Sequence, residues 1–321
     1  MSRQVDLPPI GPDIQVQVTD RLRLSDGALT IEIAPKHGGC ITQFSMTENN
    51  RRINLFRQAE ETAISGPLPL GAACFAMVPY AGRLRNGTFQ HQSRKVYFPL
   101  APFSEPHTSH GDGWQRPWQV SRRSQQYAVL TLSSVANPPL RYRCRQIISL
   151  NNAGLRLRIR IWNDEDVAIP IGIGLHPYFS RQGDPILTAK LPKRWSFDSE
   201  LMPIELQENE LALTLAAGAA VALLPGQGEF WGWDGKATIN WPSAGISLNI
   251  HTRPPLRGAV LWAPPDKNFF CFEPISHSTD AFNFDKLTGF NHGVVILEPG
   301  AQYKQDIFFD LDCAVVGSTH T

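Results

Sequence analysis

Leu155-Arg156-Leu157-Arg158-Ile159-Arg160-Ile161-Trp162 decides the fold class. Apolar residues alternate with arginines, the two-residue period of a β-strand with one face on a core and the other in water. The C-terminal stretch does the same in opposite phase. Tyr303, Gln305, Ile307, Phe309 and Leu311 share one face, and Lys304, Asp306, Phe308, Asp310 and Asp312 share the other, so Phe308 is the one apolar residue on the polar side. Further strands are predicted at Leu29 to Ala34, Lys95 to Phe98, Tyr127 to Ser133, Tyr142 to Leu150, Glu210 to Leu215, Ile246 to Thr252 and Gly258 to Trp262. Turn chemistry lies between these runs. Arg85-Asn86-Gly87-Thr88 predicts a two-residue hairpin, because both central residues accept positive φ, and Asn151-Asn152-Ala153-Gly154 predicts another turn. The best helix start, Ser278-Thr279-Asp280 before Ala281-Phe282, supports only one or two turns. Evenly spaced strands without a βαβ rhythm mean an all-β fold of antiparallel sheets, packed as a sandwich or barrel, with very few short helices.

Composition narrows the class. Of 321 residues, 25 are glycine and 26 proline, which suits a turn-rich chain; 18% are charged and 42% hydrophobic, enough to bury a large core and to exclude disorder or coiled coil. Lysine plus arginine (30) nearly balance aspartate plus glutamate (29), for a formal net charge of +1. No long-range field selects nucleic acid or an anionic membrane, so a small neutral ligand is the expected partner. Thr62 to Gly82 is uncharged and long enough to span a bilayer, but Pro67, Pro69 and Pro79 with Gly66 and Gly71 break any helical face. The polar N-terminus lacks a secretory signal, and Cys40, Cys74, Cys144, Cys271 and Cys313 are odd in number and widely spaced. A cytoplasmic protein with reduced cysteines is expected. No linker divides the chain, which reads as one domain over residues 1–321 with Met1 to Asp13 as a weakly anchored arm, monomeric or homodimeric.

Four segments carry polar and aromatic groups that a sandwich core does not need: Pro79 to Arg83, His107 to Trp118, Gly174 to Phe179, and Cys271 to Asn283. Glu273 sits among Phe269, Phe270, Cys271 and Phe272, and a carboxylate in such company is rarely buried without a partner or a task. His176 follows the apolar run Ile171-Gly172-Ile173-Gly174-Leu175, where a hydrogen-bonded core histidine and a catalytic one look alike. His110 and Trp114 lie in a loop where Gly111 and Gly113 permit close backbone approach and an aromatic can stack on a sugar face. Arg83 can fork to ligand hydroxyls or stand as a rim charge, and both readings stay open. His107 and His110 lack metal-ligand spacing, and no cofactor or metal is expected. Walker, dinucleotide and GxSxG motifs are absent, which removes nucleotide-driven and serine-hydrolase readings.

Taken together and in order, these segments resemble the aldose 1-epimerase (galactose mutarotase-like) family. The matching residues are Pro79-Tyr80-Ala81-Gly82-Arg83 with Asn86-Gly87-Thr88-Phe89, His110-Gly111 through Arg116-Pro117-Trp118, and Gly174-Leu175-His176-Pro177-Tyr178-Phe179. The likeness continues through Phe230-Trp231-Gly232-Trp233-Asp234-Gly235, Glu273-Pro274 with Asp280-Ala281-Phe282-Asn283, and Gly293 to Leu297 before Pro299-Gly300. It implies a large antiparallel β-sandwich (the galactose mutarotase-like supersandwich) with a sugar cleft on one face. It also places Glu273 as general base, His176 as general acid, and His110 and Arg83 as sugar-binding groups. Trp114 and Tyr178 are the expected stacking surfaces for the sugar. Three positions depart from the family pattern. Gly82 stands for an asparagine, Ala301 for a glutamate, and Gln227 for the aspartate that holds sugar hydroxyls, with Glu229 or Asp234 as possible substitutes.

The implied reaction interconverts α and β anomers of a hexose or related sugar. A base removes the C1 hydroxyl proton, an acid protonates the ring oxygen, and the ring opens, rotates and recloses. Desolvation among phenylalanines should raise the Glu273 pKa toward that of a histidine, about 6.5, so that both exchange protons near neutral pH. Two alternatives share the fold: an epimerase of hexose phosphates, with Arg83, Arg85 and Arg116 as its phosphate pocket, and a noncatalytic carbohydrate-binding protein.

Overall fold

The computed structural model describes residues 20–313 except 62–63, 65–68, 101–103, 134–138, 225 and 285–290, so the Met1 to Asp13 arm lies outside the described residues. Two large sheets and three two-stranded ones make up the described residues, and every strand pair among them is antiparallel. The first has 11 strands, running Leu22–Asp26, Leu29–Ala34, Cys40–Glu48, Cys74–Met77, Gly174–Ser180, Phe269–Ile275, Gly258–Trp262, Gln227–Trp231, Lys193–Phe197 and Pro203–Glu208, with Arg51–Asn54 branching from Cys40–Glu48. The second has nine, centred on Tyr142–Asn151, Gly154–Asn163, Gln302–Cys313 and Ile246–Arg253. Their inner faces share one core. Phe44, Phe56 and Phe179 from the larger sheet side meet Phe309 of the smaller, and Phe56 packs edge-on to Phe179 at 5.2 Å and to Phe309 at 5.3 Å.

The alternating arginine run forms the Gly154–Asn163 strand, with Leu155, Leu157, Ile159 and Ile161 in the core and the arginines outward. On the outer face Asp306 accepts from Arg158 Nε at 2.6 Å and from Arg156 at 3.1 Å, which neutralises part of the arginine row. Phe308 has a partner there too: it stacks on His251 at 4.3 Å, under the Arg156 guanidinium at 5.0 Å. Leu29–Ala34 and Gly258–Trp262 form with the bounds read from sequence, and Asn151 pairs with Gly154 across the expected turn.

Three local expectations are corrected. Glu210 to Leu215 is not a strand: Ala212–Ala217 is an α-helix that buries Leu215 and leaves Leu213 86% exposed. Alanine and leucine favour helix, and of the alternating leucines only Leu215 is buried. Asn86 and Gly87 do take positive φ, 51° and 64°, but in a 3-10 turn between strands that do not pair with each other. Arg83–Leu84 pairs instead with Thr108–Ser109, and Thr88–His91 with Arg94–Tyr97. Ser278 to Asn283 makes successive turns rather than a helix, because Asp280 sits at φ 58°, outside helical space. No helix among the described residues is long and apolar enough to cross a membrane.

Candidate active site

The strand period sorts two adjacent strands of the larger sheet into a core face and an outer face. On Gly174–Ser180, Leu175 and Phe179 enter the core while His176 and Tyr178 face away; on Phe269–Ile275, Phe270 and Phe272 enter it while Cys271 and Glu273 face away. Register then aligns the outward side chains. Gly174 pairs with Ile275 and Tyr178 with Cys271, which sets His176 opposite Glu273; Glu273 pairs with Val260, and Val260 with Glu229. One transverse row therefore reads Phe75, His176, Glu273, Val260, Glu229. His176 Nε2 stands 3.3 Å from Glu273 Oε1, and both residues are buried.

The loops complete the cluster. The pairing of Arg83 with Ser109 brings Arg83 beside the His110 loop, and His110 N donates to Gly82 O at 2.9 Å. The His110 ring stands 5.4 Å from that of His176, edge to face. Burial, then the Arg83 charge, pushes the His110 pKa down to about 3, so its imidazole is neutral; its Nδ1 has no hydrogen-bond partner among the described residues. Burial also lowers His176 well below the ordinary histidine value, with His110 and then Arg57 adding to the effect. Glu273 is raised well above the usual carboxylate range by burial and by Glu229, against the opposing pull of Arg83. Arg83 is half-buried, and among the described residues its guanidinium makes no ion pair. A desolvated guanidinium with unspent donors beside a buried carboxylate is suited to a ligand carrying hydroxyl acceptors.

Four expected contacts fall differently. Trp114 is no exposed stacking surface: it is fully buried, parallel to Phe75 at 5.2 Å, and its Nε1–H is shared between Ser109 O and Gly111 O. It holds the His110 loop from behind. Tyr178 is committed to protein contacts, stacked on His176 at 4.5 Å with the Arg57 guanidinium carbon 3.7 Å from its centroid. Gln227 is exposed at the start of its strand, in the row of Trp262 and Cys271, whereas Glu229 two residues on is buried and accepts from Thr279 N at 3.0 Å. Burial raises Glu229 to about 7. Asp234 stands in a turn, accepting from Lys236 N at 3.1 Å and 4.0 Å from Lys190 Nζ, and does not join the cluster.

The sequence places Thr279 only in a helix start, and its contacts with Gly82 and Glu229 went unread. Glu229 carried the same signal as Glu273, a carboxylate in an apolar stretch. His107 is separate from His110: it accepts from Asn86 N at 3.1 Å and lies 3.5 Å from Glu200. Of the three arginines suited to a phosphate, Arg85 is paired with Asp280 at 3.3 Å and Arg116 with Asp112 at 3.1 Å, which leaves Arg83. Cys40, Cys74, Cys144 and Cys271 are free thiols.

Known proteins resemble this chain along most of its length. The Escherichia coli (strain K12) uncharacterized protein YphB is 28% identical over 275 residues, 80% of this chain and 88% of YphB. A crystal structure of a candidate aldose 1-epimerase from Escherichia coli K12 superposes with a TM-score of 0.80 at 26% identity, covering 92% of this chain and 99% of that one. A galactose mutarotase-like protein from Clostridium acetobutylicum has the same fold, with a TM-score of 0.79 at 18% identity, covering 92% and 95%. The aldose 1-epimerase family profile matches residues 20–309, and with the row of His176 and Glu273 beside Arg83 and His110 the chain belongs to that family.

Proposed function

We propose that the protein is an aldose 1-epimerase that interconverts the α and β anomers of a hexose or related sugar by acid–base ring opening. The observation that carries this reading is the 3.3 Å approach of His176 Nε2 to Glu273 Oε1 on one outward row, with Arg83 beside them. The pair holds one transferable proton. Burial favours the carboxyl–imidazole form of the resting pair, and the reaction proceeds from its charged tautomer, which Arg83 favours at Glu273: as carboxylate and imidazolium, Glu273 accepts the proton of the C1 hydroxyl while His176 donates to the ring oxygen, and the C1–O5 bond breaks. Carboxyl and imidazole remain beside the open aldehyde. Rotation about C1–C2 presents the other carbonyl face, the C5 hydroxyl attacks and passes its proton to the imidazole, and the carboxyl protonates the new C1 oxygen. No proton is gained or lost over the cycle. Arg83 favours the charged form of Glu273, and the desolvated setting strengthens each of these interactions. Each proton-transfer group typically supplies about 100- to 10,000-fold in rate.

The pairing of Arg85 and Arg116 with carboxylates favours an unphosphorylated sugar. A coupled mutarotation assay over free and phosphorylated hexoses tests the reading. Turnover of free sugars supports it, turnover confined to phosphorylated ones favours the hexose-phosphate alternative, and saturable binding without turnover favours a noncatalytic carbohydrate-binding protein.

A further inference from the structure

Three side chains of different donor chemistry meet on the outward face. His176 offers an imidazole nitrogen, Glu273 a carboxylate oxygen and Cys271 a thiol sulfur, with one ligand atom of each within 4.8 Å of the other two. Cys271 and Glu273 lie two residues apart on one face of the Phe269–Ile275 strand, and His176 faces Glu273 from the neighbouring strand. Donor atoms around a tetrahedral zinc ion stand about 3.4–3.6 Å apart, given bonds of roughly 2.0–2.3 Å. The imidazole and carboxylate are already 3.3 Å apart. The thiol reaches the same spacing by closing at most about 1.2 Å, within the range of a rotation about its Cα–Cβ bond.

The ligands themselves are charge-matched to a divalent ion, against the opposing charges of Arg83 and Arg57 beside them. A divalent cation with one thiolate and one carboxylate sums to zero, and a neutral assembly is the form that a buried site tolerates. The mixed nitrogen, sulfur and oxygen set suits zinc rather than magnesium or calcium, which take six or more oxygens. Cys271 is a free, buried thiol that the proposed proton transfers do not use. We infer that His176, Cys271 and Glu273 form a site for zinc or an ion of like character, with the fourth position open to water, and that its occupation silences the enzyme. Binding replaces the thiol proton by a metal–sulfur bond and ties up both atoms that move protons. The silencing rests on the epimerase reading above; the binding does not.

Cobalt(II) and zinc added to the chelator-treated full chain test both parts. Cobalt should produce a thiolate-to-cobalt charge-transfer band that zinc displaces and that Cys271→Ser lacks. Zinc should inhibit mutarotation, with half-inhibition of Cys271→Ser needing roughly ten- to hundredfold more metal, each protein scaled to its own zinc-free rate. Magnesium at the same concentration should do neither. Cys271→Ala serves the same purpose if a buried serine hydroxyl unfolds the chain. Absence of the cobalt–thiolate band, or equal zinc sensitivity in the wild type and both variants, overturns the inference. A chain that shows the band but turns over no sugar upholds the site and overturns the epimerase reading instead.

Discussion

Thr279 fills the space that a side chain on residue 82 would need. Gly82 sits at φ +71°, and a Cβ built there runs into Thr279 Oγ1 and lies 3.3 Å from its Cα and Cβ. The backbone N–H of Thr279 in turn donates to Glu229 at 3.0 Å. Glycine at position 82, where the resemblance implies an asparagine, is therefore the residue that leaves room for Thr279.

Gly82→Asn alone should cost about 1–3 kcal/mol, chiefly through this clash, since asparagine tolerates left-handed backbone better than most residues. Adding Thr279→Gly should restore part of the loss, giving a coupling of roughly 0.5–3 kcal/mol in a double-mutant cycle read by urea denaturation. Additive losses would show that Thr279 and residue 82 do not compete for the same space.

Arg83→Gln should separate activity from stability. The guanidinium is half-buried with no ion pair among the described residues, so its removal relieves desolvation and breaks no salt bridge. The melting temperature should hold or rise, while kcat/KM on the best sugar should fall by about 10- to 1,000-fold through loss of charge-assisted hydrogen bonds. A loss of stability with kcat/KM intact would make Arg83 a rim charge.

Trp114→Phe should do the reverse. The phenyl ring keeps most of the packing on Phe75 but leaves Ser109 O and Gly111 O without their shared donor. A stability loss of about 1–2 kcal/mol is expected, with KM changed by less than roughly threefold, because the indole does not face the ligand. A large rise in KM at unchanged stability would return Trp114 to the sugar-binding surface.

Alternation made the sheets legible because burial on one face imposes it directly, as at Leu155 to Trp162 and Ile246 to Thr252. The same signal misled at Glu210 to Leu215, where leucines at every second position coincide with helix-favouring residues and only Leu215 is buried. At the site, His176 and Glu273 were legible because a polar group in an apolar strand has to be accounted for. Trp114 was misplaced because an aromatic in a glycine-rich loop looks alike whether it faces ligand or supports the loop. Thr279 was invisible because its role depends on a contact with residue 82, nearly 200 positions earlier, which no local pattern records.

Acid should expose the outer-face ion cluster. Burial pushes the Asp306 carboxyl up, but hydrogen bonds and charge from Arg158 and Arg156 outweigh it, and the net value is lowered. A folded pKa below the unfolded one, about 3.9, means that the stabilisation is present above that pH and is lost as pH falls through the folded value. Asp306→Asn should cost about 2–3 kcal/mol at pH 7 and show a smaller further loss below pH 4 than the wild type. Denaturation curves from pH 7 to 2.5 that remain parallel for the two proteins would show that Asp306 contributes nothing to acid sensitivity.

The rate of anomer interconversion by Glu273→Gln, measured by polarimetry or a coupled assay on the best free sugar, tests the epimerase reading most directly. The amide keeps the shape of the buried side chain and removes its basicity. Expected is a fall of about 100- to 10,000-fold in kcat with sugar binding and the circular dichroism spectrum preserved, and a comparable fall for His176→Asn. A Glu273→Gln protein that retains most of the wild-type rate would contradict the assignment of Glu273 as the base.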